Sequence, residues 1–154
     1  MEHTDSVPSF PGPACALRRA STGDLALIHR MQDRPIRDRI FLDPLPPRVA
    51  FCAMASERMV RGEELFYLLE VGGRLDGFIS IRPPETTCEI WGRHIHTLYY
   101  LCGRLAFEPL GLPRLTWYVR GQNRRMLRLC TRFQVRRIAA ENRFVTSRGL
   151  AFLA

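Results

Sequence analysis

An apolar, aromatic-bearing run from Leu65 to Val71 is followed by Gly72-Gly73 and then by a second apolar run, Gly77 to Ile81. Two such runs joined by a short glycine-bearing stretch read as an antiparallel hairpin, with the turn across roughly residues 72–76. The chain must therefore build a sheet. Pro83-Pro84 closes the second strand, because proline cannot donate to a sheet ladder, and Cys88 to His96 reads as a further strand ending at a histidine-rich edge.

The flanking segments supply helices and further strands. Cys15 to Ala20 is a short strand; Thr22 is the expected N-cap of a helix with Leu25, Ile28 and Met31 at helical spacing. Pro35 to Pro47 is proline-broken and irregular, and Val49 to Val60 is a second helix that ends at Gly62. After the hairpin, Thr97 caps a helix with Leu98, Leu101, Cys102 and Leu105 on one face. Arg114 to Arg120 alternates apolar and polar residues as a strand does, and Asn123 caps a helix whose stripe is Met126, Leu127, Cys130 and Phe133. Two short strand candidates follow, near Arg136 to Ala140 and Leu150 to Leu153. The order β α α β β β α β α β β predicts an α/β fold with a mixed, mostly antiparallel central sheet and helices on both faces.

Length and composition bound the rest. A chain of 154 residues has room for one domain, and 46% hydrophobic against 25% charged residues is a globular balance, not a disordered one. Pro8, Pro11, Gly12 and Pro13 make residues 1–14 an expected flexible arm, with the domain over 15–154. No apolar run approaches the ~20 residues needed to cross a bilayer, and the start lacks the basic-then-apolar order of a secretory signal, so a cytoplasmic protein without membrane contact is expected. The five cysteines form no C-x-x-C pair, which argues against a disulfide framework or a zinc site; no metal is expected.

All 23 basic residues are arginine, set against 15 acidic ones for a net charge of +8. A biased genome composition accounts for such usage plainly; the functional alternative is a phosphate-rich or acidic partner, since guanidinium forks match phosphate and carboxylate geometry. Arg124, Arg125, Arg128 and Arg132, with Arg136-Arg137, form a basic face. It is either simply solvated or a grip for the phosphates of a cofactor, for an acidic carrier protein or, least of all, for RNA, because no RNA-binding motif accompanies it.

The element order and two strings, Leu65 to Ile81 and Arg114 to Met126, resemble the GNAT superfamily of N-acyltransferases over about residues 15 to 154. The resemblance implies transfer of an acetyl or other acyl group from a CoA or carrier-bound thioester to a primary amine, on a small molecule or a protein. It also admits a homodimer. In that family the fourth strand ends in a glycine-rich loop, R/Q-x-x-G-x-G/A, whose amides and following helix start hold the pyrophosphate of acyl-CoA. Here the strand runs almost straight into Thr97, and Gly103 falls inside the helical pattern, so a shortened donor site is expected.

The resemblance also assigns candidate residues. Glu89, on the fourth strand, is the expected base acting through a water; its plain alternative is a strand carboxylate paired with an arginine. Ile95 and His96 would offer main-chain N–H groups to the donor, and Thr97 and Asn123 are the helix-start residues of the same cofactor site. Cys130 stands seven residues after Asn123, where many members carry a tyrosine that protonates the leaving thiolate; it is either that donor or a core residue of its helix. His94 and His96 share one face of the expected strand, as surface or structural histidines, as a base or as metal ligands. Tyr99 and Tyr100 are candidates for a cleft wall. The rival reading is a degenerate, non-catalytic relative that keeps the sheet as a binding or assembly module.

Overall fold

A computed structural model describes residues 5–6, 14–41, 43–132, 136–138 and 143–147. The strands are β1 (Asp5–Ser6), β2 (Cys15–Arg19), β3 (Leu65–Val71), β4 (Arg74–Arg82), β5 (Thr87–Gly92), β6 (Arg114–Tyr118), β7 (Arg136–Ile138) and β8 (Arg143–Ser147). They form one sheet in the order β1-β2-β3-β4-β5-β6-β8-β7, antiparallel at every junction except β5–β6, which is parallel. Helices α1 (Leu25–Gln32), α2 (Arg48–Val60), α3 (Ile95–Phe107) and α4 (Arg124–Arg132) complete the fold. The expected mixed, mostly antiparallel sheet with helices on both faces is what forms.

Alternation along the central strands divides the core in two. Ile79 and Ile81 of β4 and Cys88 and Ile90 of β5 pack with Leu98, Cys102 and Phe107 of α3 and Leu129 of α4. Phe78 of β4, with Phe66 and Leu68 of β3, packs on the opposite face with Leu25 and Ile28 of α1 and Ala55 of α2. Each such side chain contributes about 1.5–3 kcal/mol when fully buried. Strands covered on both faces lose the polar-out pattern, which is why β3 and β4 read as continuous apolar runs.

Several expectations need correction. The hairpin turn is only Gly72-Gly73, both left-handed (φ 59° and 75°), so β4 begins at Arg74, with a register shift at Leu69/Glu70 absorbing the difference. Ser21, not Thr22, caps the first helical segment: its N–H donates to Asp24 Oδ2 at 2.8 Å, and a 3-10 turn, Thr22–Asp24, leads into α1. The strand expected to reach His96 stops at Gly92, and α3 starts at Ile95. His94 and His96 therefore share no strand face. In the tail, β8 occupies Arg143–Ser147, and the strand expected near residues 150–153 lies outside the described residues. Within the segment expected to be a flexible arm, Asp5 and Ser6 pair with Leu17 and Ala16.

Candidate active site

The parallel junction is where the sheet opens. β5 and β6 share a single register pair, Thr87 with Thr116, closed by the Thr116 N–H donating to Thr86 O at 2.7 Å. Beyond it each strand follows its antiparallel partner: β5 stays with β4 as far as Gly92 opposite Gly77, and β6 stays with β8 as far as Tyr118 opposite Arg143. Sheet twist then separates the two ends. The resulting cleft has a volume of about 890 Å³, with Glu89, Trp91, Gly92 and His94 on one wall and Trp117, Tyr118 and Asn123 on the other.

A strap from the α1–α2 connection covers the cleft. Arg120, just past β6, donates from Nη1 to Asp38 O at 2.7 Å and Phe41 O at 3.2 Å. Phe41 packs on Trp91 of β5, with ring centroids 5.8 Å apart, so the strap touches both walls. Arg37 lies over the Phe41 ring and donates to Gln32 Oε1 at 3.0 Å and Asp43 O at 2.6 Å.

Beneath the strap, alternation places a polar tile on the sheet. Ser80 stands opposite Glu89 and Arg82 opposite Thr87 on β4 and β5. The Ser80 hydroxyl donates to Glu64 Oε1 at 2.8 Å; Arg82 Nε is 3.4 Å from that oxygen, and Arg58 Nη1 is 3.5 Å from Glu64 Oε2. Glu64 is 3% exposed, with both carboxyl oxygens met by these side chains. Glu89 instead remains open to the cleft. Crowding by the cleft walls desolvates its carboxyl and pushes it above the usual carboxylate range, with Arg82 pulling the other way, Glu64 reinforcing the rise and Arg37 opposing it.

The other end of the cleft is basic. Arg74, Arg93 and Arg125 line it, and Arg125 donates to the Arg93 carbonyl, bracing the two residues between β5 and α3. His94 Nδ1 lies 3.0 Å from Asp76 Oδ2. The α3 hydrogen-bond ladder begins with Leu98 N–H to His94 O at 2.9 Å, so the N–H groups of Ile95, His96 and Thr97 stand outside it at a helix start. Gly92 makes this tight entry feasible: a Cβ there would come within 2.8 Å of Leu98 Cδ1 and 3.0 Å of Asp76 O.

Of the expected site residues, Glu89, Ile95 and Asn123 line the cleft; His96 and Thr97 lie on the first turn of α3 without lining it. Asn123 caps α4, accepting from Met126 N–H at 3.2 Å. Cys130 is 0% exposed in the core beneath the sheet, and burial pushes its thiol up to about 12; it is not a wall residue. Tyr99 stacks on Trp117 at 5.3 Å inside the core, and neither it nor Tyr100 lines the cleft. Sequence reasoning missed Tyr118, which alternation puts on the Glu89 face of the sheet, and Arg34, Asp43 and Arg82. Among the described residues no three His, Cys, Asp or Glu side chains are grouped to hold a metal ion, and no helix is long and apolar enough to cross a membrane.

This fold, with a parallel strand pair splayed above a helix start, is shared by solved structures of acetyltransferases. The Vibrio cholerae spermidine N-acetyltransferase in complex with CoA and spermine aligns over 89% of this chain and 97% of its own, with a TM-score of 0.71 and 15% identity. RimL, a ribosomal L7/L12 alpha-N-protein acetyltransferase in complex with coenzyme A, aligns over 92% and 97%, at a TM-score of 0.64 and 12% identity. Mycobacterium smegmatis RimJ, in complex with CoA-disulfide, aligns over 90% and 84%, at 0.65 and 14%. No family model matches the sequence, and no curated protein matches it. The fold is shared; the sequences have diverged far.

Proposed function

We propose that this protein is an N-acyltransferase that moves an acetyl or other acyl group from a CoA thioester to a primary amine. The observation that carries this reading is the single-register junction of β5 and β6, beyond which the strands part into a cleft with the start of α3 at its mouth. Where a strand loses its neighbour, the N–H and C=O groups on that edge need another partner, and the amide-bearing arm of pantetheine provides one. At the mouth, Arg74, Arg93 and Arg125 and the first-turn amides of Ile95, His96 and Thr97 would hold the phosphates, while the Asn123 cap fixes the start of α4 beside them. With only Arg93 and His94 between β5 and α3, phosphate binding leans on guanidinium groups and should weaken with salt.

The chemistry follows from the wall residues. The amine nitrogen attacks the thioester carbonyl carbon; a C–N bond forms, and the C–S bond breaks as the tetrahedral intermediate collapses. Glu89, through a water, takes the proton the nitrogen loses, and its raised carboxyl makes it a stronger base than an ordinary glutamate. Main-chain N–H groups on the open edge of β5 stabilise the oxyanion. Tyr118 gives its hydroxyl proton to the departing thiolate and recovers one through solvent from Glu89, leaving an N-acyl amine and free CoA.

Acetyl-CoA at about 100 times its Kd should add about 2.7 kcal/mol to stability, roughly 5–10 °C in Tm for a domain of this size. CoA release with an amine panel then reads turnover. No thermal shift with acetyl-CoA or a longer acyl-CoA refutes the reading; a shift without CoA release from any amine favours the non-catalytic binding module.

A further inference from the structure

Charge does not single out an acceptor in the half of the cleft under the strap, because Arg34 and Arg82 share it with Asp43, Glu85 and Glu89. Its apolar surface does. Ile36 is 54% exposed and Tyr118 44%, and both line the cleft that holds Glu89. Large apolar side chains left open together on one concave surface mark a binding site more often than scattered ones do. Ile36 comes from the strap and Tyr118 from the end of β6, and one hydrogen bond brings those segments together: Arg120, two residues after Tyr118, donates to the carbonyl of Asp38, two residues after Ile36, at 2.7 Å. Ile40 of the strap and Trp91 of β5, both half-buried, line the same space, and Phe41 against Trp91 holds strap and strand in contact. Strand alternation places this surface beside the base. Glu89 and Trp91 stand two residues apart on β5 and share the face under the strap, about 6–7 Å from one another along the strand.

We propose, building on the acyltransferase reading, that the acceptor is a primary amine joined by a short alkyl linker to an aromatic body: its nitrogen is presented to Glu89 and its ring lies against Ile36, Ile40, Trp91 and the ring of Tyr118. The spacing of Glu89 and Trp91 is the reach of such a linker. Binding takes apolar surface on both partners out of water, and this sets the affinity. A polyamine gains little here, because each of its alkyl segments ends in a nitrogen that would have to shed water against Ile36 and Ile40.

The test measures CoA release from acetyl-CoA with phenethylamine, ethylamine and spermidine, for the native protein, Ile36→Asn and Ile36→Leu. Binding of acetyl-CoA is checked first by thermal shift. The native protein should prefer phenethylamine over ethylamine by at least about tenfold in kcat/KM, the scale set by burying one more apolar group in a pocket. Ile36→Asn should shrink that preference by about three- to tenfold, through a raised KM for phenethylamine and not through kcat, and Ile36→Leu should restore it. The exposure of Ile36 allows both variants to fold, which their Tm checks. Equal kcat/KM for phenethylamine and ethylamine, or a preference for spermidine, overturns this inference and leaves the acyltransferase reading intact. A native KM for phenethylamine in Ile36→Asn overturns the placement of the ring against the strap. Binding of acetyl-CoA without release by any of these amines refutes the acceptor class, and failure to bind acetyl-CoA removes both readings.

Discussion

Replacing Arg120 with alanine should release the strap without unfolding the domain. The guanidinium donates to two strap carbonyls, Asp38 O at 2.7 Å and Phe41 O at 3.2 Å, 82 and 79 residues earlier in the chain. A hydrogen bond from a charged donor contributes about 1.5–3 kcal/mol when shielded, and a half-exposed position reduces the pair to roughly 1–2 kcal/mol together. Because β6 and the polar tile do not depend on these bonds, the loss falls on the strap's own opening equilibrium, which should shift by roughly 5- to 30-fold. Hydrogen exchange reads this directly. The Ile40 and Phe41 amides, both bonded to Arg37 O at 2.9 Å, should exchange faster by that factor, while the β3 and β4 amides keep their protection. Unchanged exchange at Ile40 and Phe41 would refute the view that Arg120 holds the strap down; uniformly faster exchange across the sheet would show that the strap is part of the global fold.

Three further outcomes follow. Glu89→Gln should lower kcat for amine acylation by at least about a hundredfold with acyl-CoA binding retained; because the folded carboxyl is raised, its stabilising contribution is present below the unfolded pKa and lost as pH rises through the folded one, so the variant should be at least as stable as the native protein at neutral pH in a Tm series. Cys130→Ala should cost about 1–2 kcal/mol by leaving a small cavity and should leave CoA release unchanged, and a large loss of turnover in the folded variant would return that thiol to the chemistry. Asp24, held down to about 2 chiefly by the Arg18 side chain, contributes stability above the ordinary carboxylate range that is lost as pH falls towards that value. Asp24→Asn should therefore lower stability by about 1–2 kcal/mol at pH 7 in denaturant titrations, with the gap closing in acid.

Local patterns disclosed the frame and missed what long-range contacts decide. The Leu65–Ile81 hairpin was legible because Gly72-Gly73 meets a purely local demand for left-handed backbone, although only the structure shows that those two residues suffice. The end of β5 was not legible: Trp91 to His96 alternates as a strand would, and the chain turns at Gly92 because its backbone abuts Gly77 across the hairpin and Asp76 meets His94. Glu89 stood out as a carboxylate in a strand, a chemical oddity visible in sequence. Arg34 and Asp43 did not, since the segment bearing them is placed by Arg120, about 80 residues away. For Cys130 the stripe of α4 argued burial and the resemblance argued chemistry; the geometry follows the stripe.

The cleft and the stability of the sheet have one origin. β5 is committed to β4 through six register pairs and β6 to β8 through five, whereas β5 and β6 share one. Antiparallel ladders are the stronger in each case, so twist accumulates at the parallel junction and the gap opens there without breaking a hydrogen bond that either strand would otherwise keep. The two cores make the gap useful. Ile90 and Trp117 face α3 and α4 and keep the far side of the slot apolar, while Glu89 and Tyr118, one residue away on their strands, face the strap. A one-residue slip of β6 against β8 would turn Tyr118 into the core and Trp117 under the strap, exchanging the polar wall for an apolar one. The register of the β6–β8 pair, far from the proposed base, is thus what keeps both wall groups on the side where an amine can enter.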